Sequence, residues 1–288
     1  MLQRGYRVRF LVRNLTQASQ LIELGAEPVQ GDLSDPIALD RLCGDCKAVV
    51  HAAGIVRGAS QADFDRVNVE GTAAVIASVK RQPHPPLVLL VSSLAAREPQ
   101  LSWYAASKRG GEECLRRESG LDWVILRPPA VYGPGDREML PIFRLMARGI
   151  APVAGAVDAR IALVHVADLV DAIIACLLQP GAIHQTLSPS DGEPEGYDWH
   201  QMALIAGEIW SRKVRPWRIP DRLLDALAAM NLAQSRLLGR APMLTPPKLR
   251  ELRHPDWRVD VDEVTRATGW EPAIKLREGL EQLRNSAL

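Results

Sequence analysis

The sequence predicts an α/β fold: a doubly wound parallel sheet followed by a smaller, less regular C-terminal α/β substrate domain. Three observations predict it. Short apolar runs alternate with helix-length amphipathic segments over the first half of the chain, and strands joined by helical crossovers make parallel sheets covered on both faces. The composition, 47% apolar and 24% charged, is that of an ordinary globular protein and excludes disordered and fibrous classes. At 288 residues the chain can bury one large core or two smaller ones.

The elements follow in order. Residues 1–14 carry Arg4, Arg7, Arg9 and Arg13 without an acid, which superficially suits a transit peptide. Tyr6, Val8, Phe10 and Val12 alternate with those arginines, however, and that period of two predicts a strand over 7–12. A helix over 16–24 is stopped by Gly25, and a second strand follows over 26–30. Residues 36–42 form a short helix with proline in its first turn, and 47–53 a buried strand. A long helix over 61–81 is closed by the prolines at 83–86, and 87–92 is the next strand. Residues 102–118 are helical, and a strand over 122–126 ends at Arg127-Pro128-Pro129. After Gly133-Pro134-Gly135 the texture loosens, with helices expected over 164–178, 201–209 and 220–238. The expected division is 1–133 for a dinucleotide-binding domain and 134–288 for a substrate domain, with about 160–178 returning to the first.

Charge and cysteine content narrow the function. Thirty-five basic against 34 acidic residues leave a formal charge of +1, so the chain as a whole carries no field that gathers nucleic acid or an acidic membrane. The longest apolar stretches, such as 86–91 and 121–126, are too short to span a bilayer. Four cysteines do not make a disulfide framework, which points to the reducing cytoplasm. Cys43-Gly-Asp-Cys46 lacks both a thioredoxin context and a partner pair for zinc, and the six histidines show no metal-ligand spacing, so no metal is expected.

The chemistry is carried by Leu90-Val-Ser-Ser-Leu and then Trp103-Tyr-Ala-Ala-Ser-Lys108. Tyr104 and Lys108 are four residues apart, on one face of a helix. An adjacent ammonium favours phenolate, and bringing a phenol from about 10 to about 7 needs roughly 4 kcal/mol, attainable in a water-poor site. Tyr104 would then be a general acid/base, with Ser93 at the strand terminus hydrogen-bonding the oxygen whose proton it moves. Alone, a tyrosine four residues before a lysine also fits an exposed helix pair; the preceding apolar strand ending in Ser-Ser is what favours catalysis.

Several further segments match at consistent spacing: Arg13-Asn14, Gly31-Asp32-Leu33, His51-Ala-Ala-Gly54, Val67-Asn-Val-Glu-Gly-Thr72, and Arg127 to Asp136. His165-Val-Ala-Asp168 and Gly269-Trp-Glu-Pro272 join them near the end. In these the chain resembles the short-chain dehydrogenase/reductase superfamily, in its extended, NAD-dependent epimerase/dehydratase branch. The resemblance implies a Rossmann-like sheet and a nicotinamide cofactor that carries the hydride to or from a secondary alcohol or ketone. It implies Tyr104 as acid/base, Lys108 as tyrosine tuner and ribose anchor, and Ser93 as partner of the substrate oxygen, with Ser92 as the fallback. It implies cofactor contacts at Arg13, Asp32, Leu33, Ala52, Ala53 and Gly54, and again at Asn68, Ser92, Pro128 and Val131. A homodimer through the 102–118 helix is a further expectation.

Cofactor and substrate type follow less directly. NAD readers place an acid near the end of the second family strand; here Phe10-Leu-Val-Arg-Asn14 offers a guanidinium suited to a 2′-phosphate, which favours NADP over NAD, although Arg13 also reads as a surface arginine. Ala130 stands where sugar-nucleotide members of the branch commonly carry Asn, and the apolar 220–238 helix with Trp210 and Trp217 suits either an apolar pocket or plain core. The expected substrate is a small, apolar molecule, and no nucleic acid is expected as partner. A sugar-nucleotide epimerase or dehydratase and a non-catalytic nucleotide-binding accessory subunit are the other readings.

One departure is serious. The family begins with a strand and a Gly-x-x-Gly-x-x-Gly turn that holds the pyrophosphate; this sequence has no such turn, and Met1 to Gly5 resembles the end of the helix after it. The missing strand is central in the family sheet, so its loss would unpair the edges of two neighbours. A truncated reading frame is the expectation drawn from that.

Overall fold

A computed structural model describes residues 1–238, 242 and 244–285. Strand β1 (Arg9–Val12) runs parallel to β2 (Glu27–Gln30), pairing Arg9 with Glu27 and Val12 with Gln30. Strands β3 (Ala48–His51), β4 (Leu87–Val91) and β5 (Trp123–Leu126) form a second parallel sheet, extended beyond β5 by Gln185–Leu187. Among the described residues no strand joins β1 to β3, so the sheet is in two parts, split where the sequence predicts two unpaired edges. Val50, in the middle of β3, is 40% exposed as a consequence, while Val49 and His51 on the opposite face are buried.

The core lies in layers about the larger sheet. Val75 and Val79 of the helix Gly71–Lys80 and Leu115 of the helix Trp103–Arg116 pack with Val88, Leu90 and Ile125 on one face. On the other face Leu89, Val124 and Leu126 meet Cys176, Leu187 and Val264. A third cluster, around Tyr132, Phe143, Met146, Met202 and Leu280, forms the interior of the C-terminal half. The late motifs are tied together here: the Asp168 carboxylate accepts from the backbone of Ala273 and Ile274 at 3.1 and 2.8 Å.

Two elements differ from the sequence expectation. The apolar run expected as a helix over 164–178 begins as a strand, Leu163–His165, paired with Ala130–Tyr132, and turns helical only at Val166–Leu178; an apolar run reads either way until a neighbouring strand decides. The single helix expected over 61–81 is Gln61–Asp65, then a π-helical turn Arg66–Glu70, then Gly71–Lys80, starting from a Ser60–Asp63 capping box. A π turn inside an α-helix is most often found at functional sites.

Candidate functional site

The two serines at the end of β4 point to different places. Ser92 is buried and donates to the Glu112 carboxylate at 2.6 Å. Glu112 is itself fully buried and receives a two-pronged contact from Arg127 at 2.6 and 2.8 Å. Ser93 accepts from the amide of Ala95 at 3.2 Å, capping the turn Leu94–Arg97, and lies close enough to Tyr104 to favour ionisation of its phenol. The structure therefore brings Ser93 to the tyrosine, while Ser92 is committed to Glu112.

Tyr104 sits in the first turn of the helix Trp103–Arg116, whose N-cap Ser102 accepts from Ala105 at 2.9 Å. Lys108 lies one turn further on, as the spacing predicts, but its effect on the phenol is not the predicted one. Burial pushes the Tyr104 hydroxyl up to about 12, against the lowering effect of Ser93 and assisted by the negative charge of Glu251. The Lys108 ammonium donates instead to the Val91 carbonyl at 2.7 Å, and burial brings it down to about 8. Two of its three donors remain for another partner.

Asn68 anchors the floor from the π turn. Its amide nitrogen donates to Ser107 Oγ at 2.9 Å and to the Ile55 carbonyl at 3.1 Å, and its oxygen accepts from Ile55 N at 2.9 Å. The approach that allows this is set by glycine: a Cβ on Gly111 would lie 2.6 Å from the Asn68 carbonyl oxygen, so no larger residue fits between the two helices. Behind it, His51 contacts the Thr72 hydroxyl at 3.1 Å, and burial with the nearby Lys108 charge lowers its imidazole to about 4.

The predicted cofactor positions fall into two groups, one beside Lys108 and Asn68 and one around Arg13. Directly after buried His51, the small residues Ala52, Ala53 and Gly54 are exposed, a bare floor in front of Lys108; a Cβ on Gly54 would come within 2.9 Å of Asn68 Oδ1. At the second group a cavity of about 1070 Å³ is lined by Arg9, Arg13, Gly31, Asp32 and Arg41. Arg13 there is exposed and has no ion-pair partner among the described residues, whereas Asp32 is occupied locally, accepting from Ser34 N and Oγ at 2.8 and 2.6 Å. Leu33 packs against Gly71 and the core. Pro128, whose carbonyl accepts from Leu94 N at 2.9 Å, and Val131, in the strand paired with Val164, flank the Ser93 end. The adenosine and nicotinamide ends of a dinucleotide thus fit residues that are present, while the chain offers no glycine-rich cradle for the pyrophosphate between them. Cys43 and Cys46 flank Gly44 and Asp45 at the edge of the cavity around Arg13, and burial raises both thiols above their ordinary values.

Three neighbours of Tyr104 have no signal in the sequence. The Lys248 ammonium lies 5.4 Å from the tyrosine ring centroid, Glu251 pairs with Lys248 and accepts from Ser102 Oγ at 2.7 Å, and Phe64 meets the ring edge-on at 6.2 Å. Lys248 and Glu251 come from the short helix Pro246–Leu252, some 140 residues away in sequence. Lys248 and Phe64, together with Val56, Thr245 and Pro247, line a small space beside the tyrosine.

Comparison with known proteins identifies the family and the fold. Residues 1–186 match the NAD dependent epimerase/dehydratase family. The ceramide reductase of Caulobacter vibrioides is 38% identical over 88% of this chain and 79% of its own length. The 4-hydroxy-2-methyl-3-oxo-4-farnesyl-3,4-dihydroquinoline-1-oxide ketoreductase of Stigmatella aurantiaca is 26% identical over 99% and 91%. Among solved structures, the UDP-glucose 4-epimerase of Thermotoga maritima superposes with a TM-score of 0.72 at 19% identity, covering 100% of this chain and 94% of that one, which shows the shared fold. The chain belongs to the NAD dependent epimerase/dehydratase family and is an NAD(P)-dependent enzyme of the extended short-chain dehydrogenase/reductase type.

Proposed function

We propose that this member of the NAD dependent epimerase/dehydratase family is a reductase that uses NADPH to convert the ketone of a long-chain, lipid-like molecule to a secondary alcohol. The observation that carries it is the placement of Ser93, at the end of β4, close enough to ease ionisation of the Tyr104 phenol, with Lys108 one helical turn further on and held at the same strand by the Val91 carbonyl. NADPH, when bound, supplies the hydride to the carbonyl carbon. Ser93 holds the carbonyl oxygen and Tyr104 donates the proton to it. Burial pushes the Tyr104 phenol up to about 12, so it is protonated at neutral pH, as the proton donor of a reduction must be. Lys108 keeps two donors for a ribose hydroxyl while the Val91 carbonyl fixes its place. Arg13, unpaired at the mouth of the adenosine cavity, is the partner for a 2′-phosphate and supports NADP over NAD.

The substrate class is supported by two relatives, one named a ceramide reductase and the other a ketoreductase of a farnesyl-bearing dihydroquinoline oxide. Ala130 offers no amide to a sugar nucleotide, which disfavours the epimerase alternative. In this reading residues 1–133 hold the cofactor and 134–288 the substrate, with Ile173, Cys176 and Leu177 of the 160–178 segment packed back onto the sheet. The same reading makes the protein a cytoplasmic homodimer through the helix bearing Arg109 and Glu113.

The test is a fluorescence titration with NADPH and NADH, followed by turnover of a long-chain ketone. The expected result is saturable NADPH binding in both wild type and Tyr104→Phe, with turnover lowered 10²- to 10⁴-fold in the variant. Binding without turnover of any ketone by the wild type would instead favour the accessory-subunit reading.

A further inference from the structure

We infer that the face formed by Trp217 and the outward side of the helix Asp221–Leu238 seats the protein on an anionic phospholipid surface. The helix is held from one side only. Leu224, Ala228 and Ser235 are buried, and the first two form a small cluster with Leu249. On the outward side Leu223 is 48%, Leu227 37% and Met230 49% exposed, and Ala226 and Ala233 are exposed between them. At 3.6 residues per turn these five fall within about 120° of arc, interrupted by Gln234. Trp217, 56% exposed on the strand Arg215–Arg218, precedes the helix by four residues and is therefore within about 14 Å of its start.

Charge selects the occupant. Between residues 212 and 222 stand five exposed cations, Arg212, Lys213, Arg215, Arg218 and Arg222, against the single carboxylate Asp221. Among the described residues only Arg218 has a carboxylate partner, Asp221 at 3.0 Å. Arg212 reaches instead to the Arg148 carbonyl at 3.2 Å, which extends the basic rim to Arg148 and the half-exposed Leu145 beside it. A second copy of the chain would set these cations against themselves across a two-fold axis, which disfavours self-association here. An apolar stripe carrying tryptophan, leucine and methionine beside a rim of arginine and lysine is the pattern of a helix lying in the headgroup layer of an anionic bilayer. The whole-chain charge of +1 conceals this local excess. The inner side of the same helix rests on Leu249, whose neighbour Lys248 lies over the Tyr104 ring, so a membrane-resident substrate would be one helix layer from the acid/base group.

Flotation with phosphatidylglycerol/phosphatidylcholine vesicles tests the inference, with pure phosphatidylcholine vesicles in parallel. The full chain is expected to float with the anionic vesicles alone, at least tenfold more weakly in about 0.5 M than in about 0.05 M salt. The triple variant Leu223→Ser, Leu227→Ser, Met230→Ser is expected to stay at the bottom of the gradient with unchanged circular dichroism and Tm, because all three side chains are exposed. Equal flotation of variant and wild type, no flotation at all, or a wild-type dimer that the triple variant turns into monomer would each overturn it. The surface stands apart from the proposed substrate: failure of flotation with ketone turnover intact sinks the membrane face alone, and the reverse result sinks the reductase reading alone.

Discussion

The two parts of the divided sheet share parallel pairing and differ in burial and in sequence: β2 is Glu-Pro-Val-Gln, whereas β4 is Leu-Val-Leu-Leu-Val. β1 (Arg-Phe-Leu-Val) has no buried residue, and β2 has only Val29 half-buried. In β4 and β5, by contrast, Val88, Leu89 and Leu90 and then Val124, Ile125 and Leu126 are nearly inaccessible. The continuous apolar runs of β4 and β5 have strand neighbours on both edges and cover on both faces, whereas β1 and the more polar β2 pair with each other without that cover. In the reading proposed above, the proton-transfer residues Ser93, Tyr104 and Lys108 stand on the buried part, and the proposed adenosine contacts Arg13 and Asp32 on the exposed part.

The largest effect that sharpens this contrast is on stability. Leu89→Ala, at a fully buried position of β4, is expected to cost about 2–5 kcal/mol. Val29→Ala in β2 should cost less than about 1 kcal/mol, because its site is already half open to water. Urea unfolding followed by the shift of midpoint at constant slope measures both. Equal losses would break the contrast, since β1–β2 would then be as tightly packed as the larger sheet.

His51 tests the edge strand of the buried part by pH. Its imidazole is near 4 in the folded chain and 6.5 in the unfolded one, so between those values the unfolded state binds the extra proton. Its contribution is present above pH 6.5 and is lost as pH falls towards 4, amounting to about 3 kcal/mol in all. Stability curves of wild type and His51→Gln should therefore converge in that window as pH falls. Parallel curves would mean that the imidazole is hydrated, and that this face of β3 is as open as Val50 on the other.

What the sequence disclosed follows from range. Tyr104, Lys108 and Ser93 lie within sixteen residues on one strand–turn–helix unit, so their proximity is dictated by helical spacing and one short connection. Asn68 was legible by its motif, but not the π turn that carries it, which has no distinctive propensity and arises where Gly110 and Gly111 let two helices approach. The sign of the Tyr104 shift was not legible either. It depends on burial and on Glu251, brought in from a remote helix, and the nearby lysine cannot override them while it is bound to Val91. Likewise only the three-dimensional position of Glu112, a turn beyond Lys108, decides which of Ser92 and Ser93 is free for Tyr104.

The smallest expected effect belongs to the exposed part. Arg13 stands at the end of β1 with no carboxylate of its own, and its nearest acid, Asp32, is held by Ser34 and stays low with help from the Arg13 charge. Because both groups are solvated, the guanidinium contributes through a screened, single-phosphate contact rather than a buried pair. Arg13→Ala should weaken NADPH binding about tenfold, leave NADH binding nearly unchanged and leave kcat with saturating cofactor as it was. The NADPH difference should shrink in high salt, as a surface contact requires. A drop in kcat, or equal losses for both cofactors, would place Arg13 with the rigid chemical end of the site and remove the distinction between the two parts of the sheet.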